Sequence, residues 1–254
     1  MVKMKLYNSF DIKKNHKNSI ILIGNFDGLH LGHQKLFKLA KKYKKKYLSK
    51  IGVLTFEPMP KMFFNPSLKN FRLSNLNQKI ENLSKLNVDF VIIKQFNRKF
   101  SKTKSISFIK ETLGKKLNPK FIFVSNNFRF GNKREGNVEQ LIEYEKLCKY
   151  KIIKPQPLSI KKQIISSSLI RKYLQNGKLN EANKLLKRNW SIDGKVQKGR
   201  QVGKKIGFPT ANIDIKDYIL AKPGVYAVKA RKMKNSNYIK GIANLGYRPT
   251  FNGK

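Results

Sequence analysis

The stretch Ile20 to Gln34 constrains this chain more than any other. It opens with the apolar run Ile20-Ile-Leu-Ile23, the length and composition of a buried strand. Gly24, Gly28 and Gly32 follow at turn positions, and Leu36, Leu39 and Ala40 then recur with helical spacing. Strand, glycine-rich turn and helix start form one unit. Its geometry aims unpaired backbone N–H groups, and the positive end of the helix dipole, at an anion. His30 and His33 stand three positions apart at that helix start, a spacing that places them on one face.

The chain has 3 histidines, and two of them are this pair. A satisfied core or surface histidine is the plain alternative for either one. A zinc site needs three or four ligands. The remaining soft candidates are His16 and the single cysteine, Cys148, far along the sequence. Phosphate binding accounts for the glycines, Asp27 and the histidine pair together.

A chain of 254 residues holds one large or two modest domains. No apolar run approaches the roughly 18 residues of a membrane span. The segment Met1 to Asn8 has no apolar core of signal-peptide length. One cysteine excludes an internal disulfide framework. A cytoplasmic enzyme without a membrane partner is the expectation. The formal charge of +42 points, taken alone, to nucleic acid or an anionic surface. However, lysine far outnumbers arginine, and runs such as Lys41 to Lys46 alternate with apolar helix positions. They read as solvated faces that attract nucleotides and bind polynucleotides only weakly and without specificity.

In chain order, strands are expected at Met4–Phe10 (a weak signal), Ile20–Ile23, Ile51–Phe56, Val88–Ile93, Phe121–Val124 and Lys151–Ile153. Helices are expected at Leu36–Lys50, Ser74–Leu86 with Ser74 as N-cap, Ser105–Lys116, Val138–Tyr150, Ser166–Leu174 and Asn180–Leu186. This alternation predicts βαβ units and a parallel sheet covered on both faces. Ligands then bind beyond the carboxyl ends of the strands. The loops after Ile23, after Val124 and at Glu57–Pro60 are such ends. From Trp190 the helical period stops, glycines become dense, and short alternating segments such as Val225–Lys229 and Tyr238–Ile242 appear. That pattern predicts a small antiparallel β domain. The expected domains are 1–186 and 187–254.

The run Gly24-Asn-Phe-Asp-Gly-Leu-His-Leu-Gly-His33 resembles the His-x-Gly-His motif of nucleotidyltransferases. It is most similar to the version in bacterial bifunctional riboflavin kinase/FMN adenylyltransferases. Ser166-Ser-Ser-Leu-Ile-Arg171 resembles the superfamily's Ser-Ser-Thr-x-x-Arg signature, with Ser168 for threonine. Thr55-Phe-Glu-Pro-Met-Pro60 resembles a Thr-Phe-x-Pro-His-Pro loop, with Met59 for histidine. Val124-Ser-Asn-Asn-Phe-Arg-Phe-Gly131 resembles the family's Val-Gly-x-Asp/Asn-Phe-x-Phe-Gly loop, with Ser125 for glycine. The segment Gly194 to Asn212 closely resembles the riboflavin kinase signature.

The resemblance implies a Rossmann-like α/β nucleotidyltransferase domain followed by a small antiparallel β-barrel. It implies transfer of AMP from ATP to FMN in the first domain, giving FAD and pyrophosphate, and phosphorylation of riboflavin to FMN in the second. It assigns His30, His33 and Arg171 as catalytic. It assigns Gly24, Asn25, Phe26, Asp27, Gly32, Ser166, Ser167 and Ser168 to ATP, and Asn127 and Arg129 to the flavin. In the second domain it assigns Gly199, Gly203, Gly207, Pro209, Thr210 and Asn212 to ATP and Mg²⁺, with Thr210 and Asn212 as metal ligands. Small-molecule nucleotides and flavins are the partners, and self-association is left open. The family's kinase Glu, last barrel strand and terminal helix pair would lie beyond Lys254. The barrel is therefore expected to be incomplete and the kinase weak or silent. The rivals are a basic nucleic-acid-binding protein and another His-x-Gly-His nucleotidyltransferase.

Overall fold

Ile20, Ile21, Leu22 and Ile23 are all buried, and alternate residues serve opposite faces of a sheet. Ile21 and Ile23 join Leu54, Phe56, Ile92 and Ile122 under a layer of Phe108, Ile109, Leu113 and Leu117. Ile20 and Leu22 join Val53, Val91 and Phe123 under Phe37, Ala40 and Leu83. Burial on both faces explains why these strands read as continuous apolar runs, not as alternating ones.

This computed structural model describes residues 4–197, 210–232 and 236–246. Contacts divide the chain into two units, Met1–Leu68 with Ser74–Ser166, and Lys69–Leu73 with Ser167–Lys254. The first unit carries strands β1 (Lys5–Tyr7), β2 (Ile20–Ile23), β3 (Ile51–Glu57), β4 (Phe90–Gln95), β5 (Phe121–Phe123) and β6 (Lys151–Ile153). All are parallel, in the order β1-β4-β3-β2-β5-β6. From β2 the chain builds outward through β3 and β4, then returns to add β5 on the other side. The reversal makes a switch point between β2 and β5, where ligands of such sheets bind. The α/β class and the parallel sheet agree with the expectation.

Gly52 shows how tightly the sheet is packed. It lies beside Phe90 in register, and a Cβ there would sit 2.2 Å from the Phe90 ring. The same ring stacks on His16 at 4.5 Å, and His16 Nδ1 pairs with the Tyr7 hydroxyl at 2.8 Å. The third histidine is thus part of the core packing. Burial, with Lys50 second, lowers its pKa.

Several element boundaries differ from the sequence expectation for identifiable reasons. The first helix, α1 (Leu31–Tyr47), starts directly after His30, ahead of the apolar period that begins at Leu36. Ser74 is not an N-cap. Asn75 caps the helix Leu76–Ser84, its side chain accepting from the Gln78 N–H while the Gln78 side chain accepts from the Asn75 N–H. The expected helix Val138–Tyr150 breaks at Tyr144 into Val138–Glu143 and Glu145–Cys148. Short helices Pro60–Phe64 and Arg98–Ser101, and the hairpin Ser159–Ile160 with Gln163–Ile164, carry too little pattern to be read from sequence.

The second unit contains the helices Ser167–Gln175 and Leu179–Leu186, which bury Ile170, Leu174, Ala182 and Leu186. Its antiparallel pairs are Val196–Gln197 with Asn212–Ile213, and Gly224–Ala230 with Ile239–Leu245. It also takes in Lys69–Leu73. Arg72 bridges to Tyr218, its N–H donating to Asp217 O at 2.8 Å, and the Trp190 indole N–H donates to Leu73 O at 3.0 Å.

Candidate nucleotide site

The loop between β2 and α1 is held from three sides. Gly24 N–H donates to Leu54 O on β3, and the Thr55 hydroxyl donates to Asn25 O. Gly28 N–H donates to the Ser74 hydroxyl at 3.3 Å, and Ser74 N–H donates back to Asp27 Oδ1 at 3.2 Å. Phe26, Gly28 and Leu29 all take positive φ, at 48°, 78° and 43°. Two non-glycine residues in that region mark a loop whose conformation is enforced by its surroundings. Phe26, Asp27 and Leu29 are buried, so this loop is a packed part of the fold.

His30 occupies the N-cap position of α1 with extended backbone, and its side chain does not cap the helix. The ring instead turns onto His33, with centroids 3.8 Å apart and planes 25° apart. The Phe26 ring meets His33 edge-on at 5.2 Å. Gly32, between the histidines, fits this stacking closely: a Cβ there would lie 3.1 Å from the His30 ring and 3.3 Å from Ile165 O, so a neighbour would have to give way. Burial, then His30, then Lys79 hold the His33 pKa well below its ordinary value. At neutral pH His33 is therefore an uncharged imidazole. Its Nδ1 is buried with no hydrogen-bond partner among the described residues.

The other expected residues of the first unit lie on neighbouring strand ends. The loop after β5 carries Asn127, whose Oδ1 accepts from the Ser125 hydroxyl at 2.9 Å, and exposed Arg129. Met59, after β3, is 2% exposed, so the apolar side chain fills its place as core. The loops after β3, β2 and β5 thus leave three adjacent strands at the switch point. Ser166 ends this unit.

Ser167, Ser168 and Arg171 belong to the second unit, at the start of the helix Ser167–Gln175. Arg171 Nε donates to Phe71 O at 2.7 Å, and its guanidinium lies 3.8 Å over the Phe71 ring. Thr210 is exposed, and Asn212 pairs with Gln197 at the start of its strand. Gly199, Gly203, Gly207 and Pro209 lie outside the described residues. Among the described residues, no group of three or more His, Cys, Asp or Glu side chains is placed to hold a metal.

Two residues of the site were not anticipated. Ser74 has a different function from the cap it resembled. Lys79 is 1% exposed. Its signal was present in the sequence: position 79 lies four before Leu83, on the inward face of its helix.

A switch-point crevice, a helix N-terminus and a stacked histidine pair with His33 held neutral define a nucleotide-handling α/β enzyme, here with a small antiparallel unit following. The FAD synthetase family model matches residues 12–169, and the riboflavin kinase family model matches residues 186–254. A bifunctional riboflavin kinase/FMN adenylyltransferase of Buchnera aphidicola subsp. Schizaphis graminum is 41% identical over 95% of this chain and 77% of its own length. The protein of that name from Escherichia coli K12 is 34% identical over 92% of this chain and 74% of its own length. The chain belongs to the bifunctional riboflavin kinase/FMN adenylyltransferase family, a family of transferases. A crystal structure described as a macrolide-efflux protein from Streptococcus pneumoniae superposes with a TM-score of 0.81 at 28% identity, covering 100% of this chain and 82% of that one. Among the described residues here, no helix is long and apolar enough to cross a membrane.

Proposed function

We propose that the first unit's crevice joins FMN to the adenylyl group of ATP. The FMN phosphate oxygen attacks the α-phosphorus, the α–β P–O bond breaks, and pyrophosphate leaves with its electron pair. The attacking phosphate is already anionic, so the step needs positioning and charge stabilisation more than a strong base. The observation that carries this reading is the stacked His30–His33 pair at the N-terminus of α1, beside the switch point. The helix start and the imidazole N–H groups serve the nucleotide phosphates. Gly24, Asn25, Phe26, Asp27 and Gly32 shape that loop. Ser166, Ser167, Ser168 and Arg171 serve the β- and γ-phosphates, and Asn127 and Arg129 the flavin.

The segment from 187 to 254 acts as the riboflavin kinase domain, with 1–186 as the adenylyltransferase domain. Thr210 and Asn212 offer a hydroxyl and an amide oxygen, donors of the hard type that suits Mg²⁺ carried with ATP. When bound, that ion neutralises triphosphate charge. The enzyme acts in the cytoplasm.

The test is to supply ATP and Mg²⁺ with either FMN or riboflavin and to separate the flavins by chromatography. FAD from FMN supports the first reaction, and FMN from riboflavin the second. Binding of polynucleotide without any flavin product would overturn both. Turnover of a different adenylyl or cytidylyl acceptor in place of FMN would assign the histidine pair to another reaction.

A further inference from the structure

Lys69–Leu73 interrupt the first unit in sequence and belong to the second, where their backbone is bonded along its length. The N–H of Asn70 donates to Lys216 O at 2.7 Å, those of Phe71 and Arg72 donate to Asp217 O, and Arg72 O accepts from the Ile219 N–H at 2.7 Å. Leu73 O takes the Trp190 indole N–H. Asn70 fastens the start of the segment. Its φ of 51° lies in the left-handed region, which asparagine enters more readily than most residues. In that conformation its side-chain amide donates to Tyr218 O at 3.0 Å and to Ile215 O at 3.4 Å. Tyr218 is itself buried and pinned, its hydroxyl donating to Asp193 O and accepting from the Asp193 N–H. The residue after Asn70 is Phe71, whose carbonyl and ring hold Arg171.

Arginine recognises phosphate through a planar fork of N–H donors, so the direction of the guanidinium plane decides what it can meet. The bond from Nε to Phe71 O fixes that direction, and the Phe71 ring fixes the tilt. A carbonyl and a ring on a loose loop would orient nothing. We propose that Asn70 is a positioning residue for Arg171, and that residues 215–219 serve adenylyl transfer as the platform on which this arginine is oriented. The proposal rests on the adenylyl-transfer reading above, which gives Arg171 the β- and γ-phosphates of ATP. The parts come from separate family matches. Asn70 and Phe71 lie in the FAD synthetase match, residues 215–219 in the riboflavin kinase match, and Arg171 between the two. A stretch of the riboflavin kinase match thus has a second task, independent of any kinase chemistry. In this role Asn70 acts only through Phe71. The effect falls on ATP, because a fork ordered beforehand has less freedom to lose when the triphosphate binds.

The experiment uses the full chain with Asn70→Asp and Asn70→Gly, and Asn75→Ala as a control for lost stability alone. Asn70→Asp sets a carboxylate against two carbonyl oxygens. Asn70→Gly allows the same backbone conformation and removes the amide. Three quantities are read: hydrogen exchange of the Arg171 Nε–H, by NMR on nucleotide-free protein labelled with ¹⁵N-arginine; Kd for ATP, by calorimetry; and kcat and KM in FAD synthesis. Asn70→Asp is expected to speed exchange at Nε and to raise Kd and KM for ATP several-fold, with KM for FMN unchanged. Asn70→Gly should do the same to a smaller extent, and Asn75→Ala should leave exchange and Kd where they are. Unchanged exchange at Arg171 in the folded Asn70 variants would overturn the proposal, as would faster exchange with an unchanged Kd for ATP. Equal changes in Asn75→Ala would reduce Asn70 to general stability and overturn it too. If Asn70→Asp does not fold, Asn70→Gly decides. A natural protein that makes no FAD rejects the adenylyl-transfer reading, while exchange and Kd still judge how Arg171 is oriented.

Discussion

The rings of His30 and His33 are stacked 3.8 Å apart on either side of Gly32, whose missing side chain leaves room for them. Two imidazoles this close cannot both be protonated cheaply. In the proposed mechanism the pair donates hydrogen bonds at a helix N-terminus, with His33 neutral and the positive end of the dipole behind it. Replacing His33 by alanine removes one such donor without touching the sheet. Loss of one transition-state donor typically costs about 10²–10³ in rate. His33→Ala is expected to lose most FAD formation while its melting temperature stays close to that of the natural protein. Unchanged turnover would remove His33 from the mechanism.

The buried histidines also set a pH dependence of stability. An unfolded histidine takes up its proton near pH 6.5, whereas folded His33 and His16 have lowered pKa values. As pH falls through about 6.5 the unfolded chain binds protons before the folded one does, so stability falls. Above that pH the two states bind equally and the contribution is fully present. Urea midpoints should therefore decline between pH 7.5 and 5.5, a window kept above the carboxylates. His33→Gln should flatten the decline, and His16→Gln should flatten part of it. An equally steep decline in the double variant would assign it to other groups.

Ser74 separates loop support from helix capping. Its hydroxyl accepts from Gly28 in the nucleotide loop, while Asn75 caps the helix. Ser74→Ala leaves the buried Gly28 N–H without that acceptor, at a cost of about 1–3 kcal/mol. Asn75→Ala loses the cap, about 1 kcal/mol. The two variants should therefore be similar in urea. Only Ser74→Ala should raise KM for ATP, because only it loosens the loop. Equal kinetic damage from both would refute this separation.

The sheet and the histidine loop were legible in the sequence because both depend on local signals. Apolar runs buried on two faces give continuous strands, and a glycine-rich turn before an apolar period gives a helix start. Ser74 was misread as a cap, and Lys79 was not singled out, because the surroundings of neither side chain follow from its neighbours in sequence. A serine before a helix looks like a cap whether its hydroxyl turns to its own helix or to a loop 46 positions away. A lysine at an inward position looks like one more solvated charge in a chain with 56 basic residues. The excursion of Lys69–Leu73 into the second unit has no local signal at all, since it rests on backbone bonds to Lys216 and Asp217. Met59, in contrast, was readable as a departure, and its burial explains how the chain accommodates an apolar side chain at that position.

Gly52 tests the sheet independently of the site. Alanine there would bring a Cβ to 2.2 Å from the Phe90 ring, in a strand whose backbone is fixed by neighbours on both sides. Overpacking of this kind typically costs about 1–3 kcal/mol. Gly52→Ala is expected to lower the urea midpoint by a corresponding amount, and Phe90→Leu, which removes the ring, should recover part of it when combined. Simple additivity of the two changes would contradict the close approach, because residues in contact couple.

Arg171 serves two purposes that one substitution can separate. Its Nε–H is committed to Phe71 O, and its guanidinium lies flat on the Phe71 ring. The planar fork thus has a fixed orientation before any nucleotide arrives, which an ammonium on a flexible stem cannot match. Arg171→Lys loses one hydrogen bond from a charged donor, about 1.5–3 kcal/mol, and weakens the ring contact. Phe71→Leu keeps the carbonyl acceptor and loses only the ring, worth about 0.5–2 kcal/mol. If Arg171 were only an anchor for Lys69–Leu73, the two variants would differ in melting temperature alone. If it also meets the β- and γ-phosphates, Arg171→Lys should lower kcat/KM for ATP by at least tenfold more than Phe71→Leu does. Measured at a temperature where both variants are fully folded, the ratio of the two kcat/KM values decides between anchor and ligand.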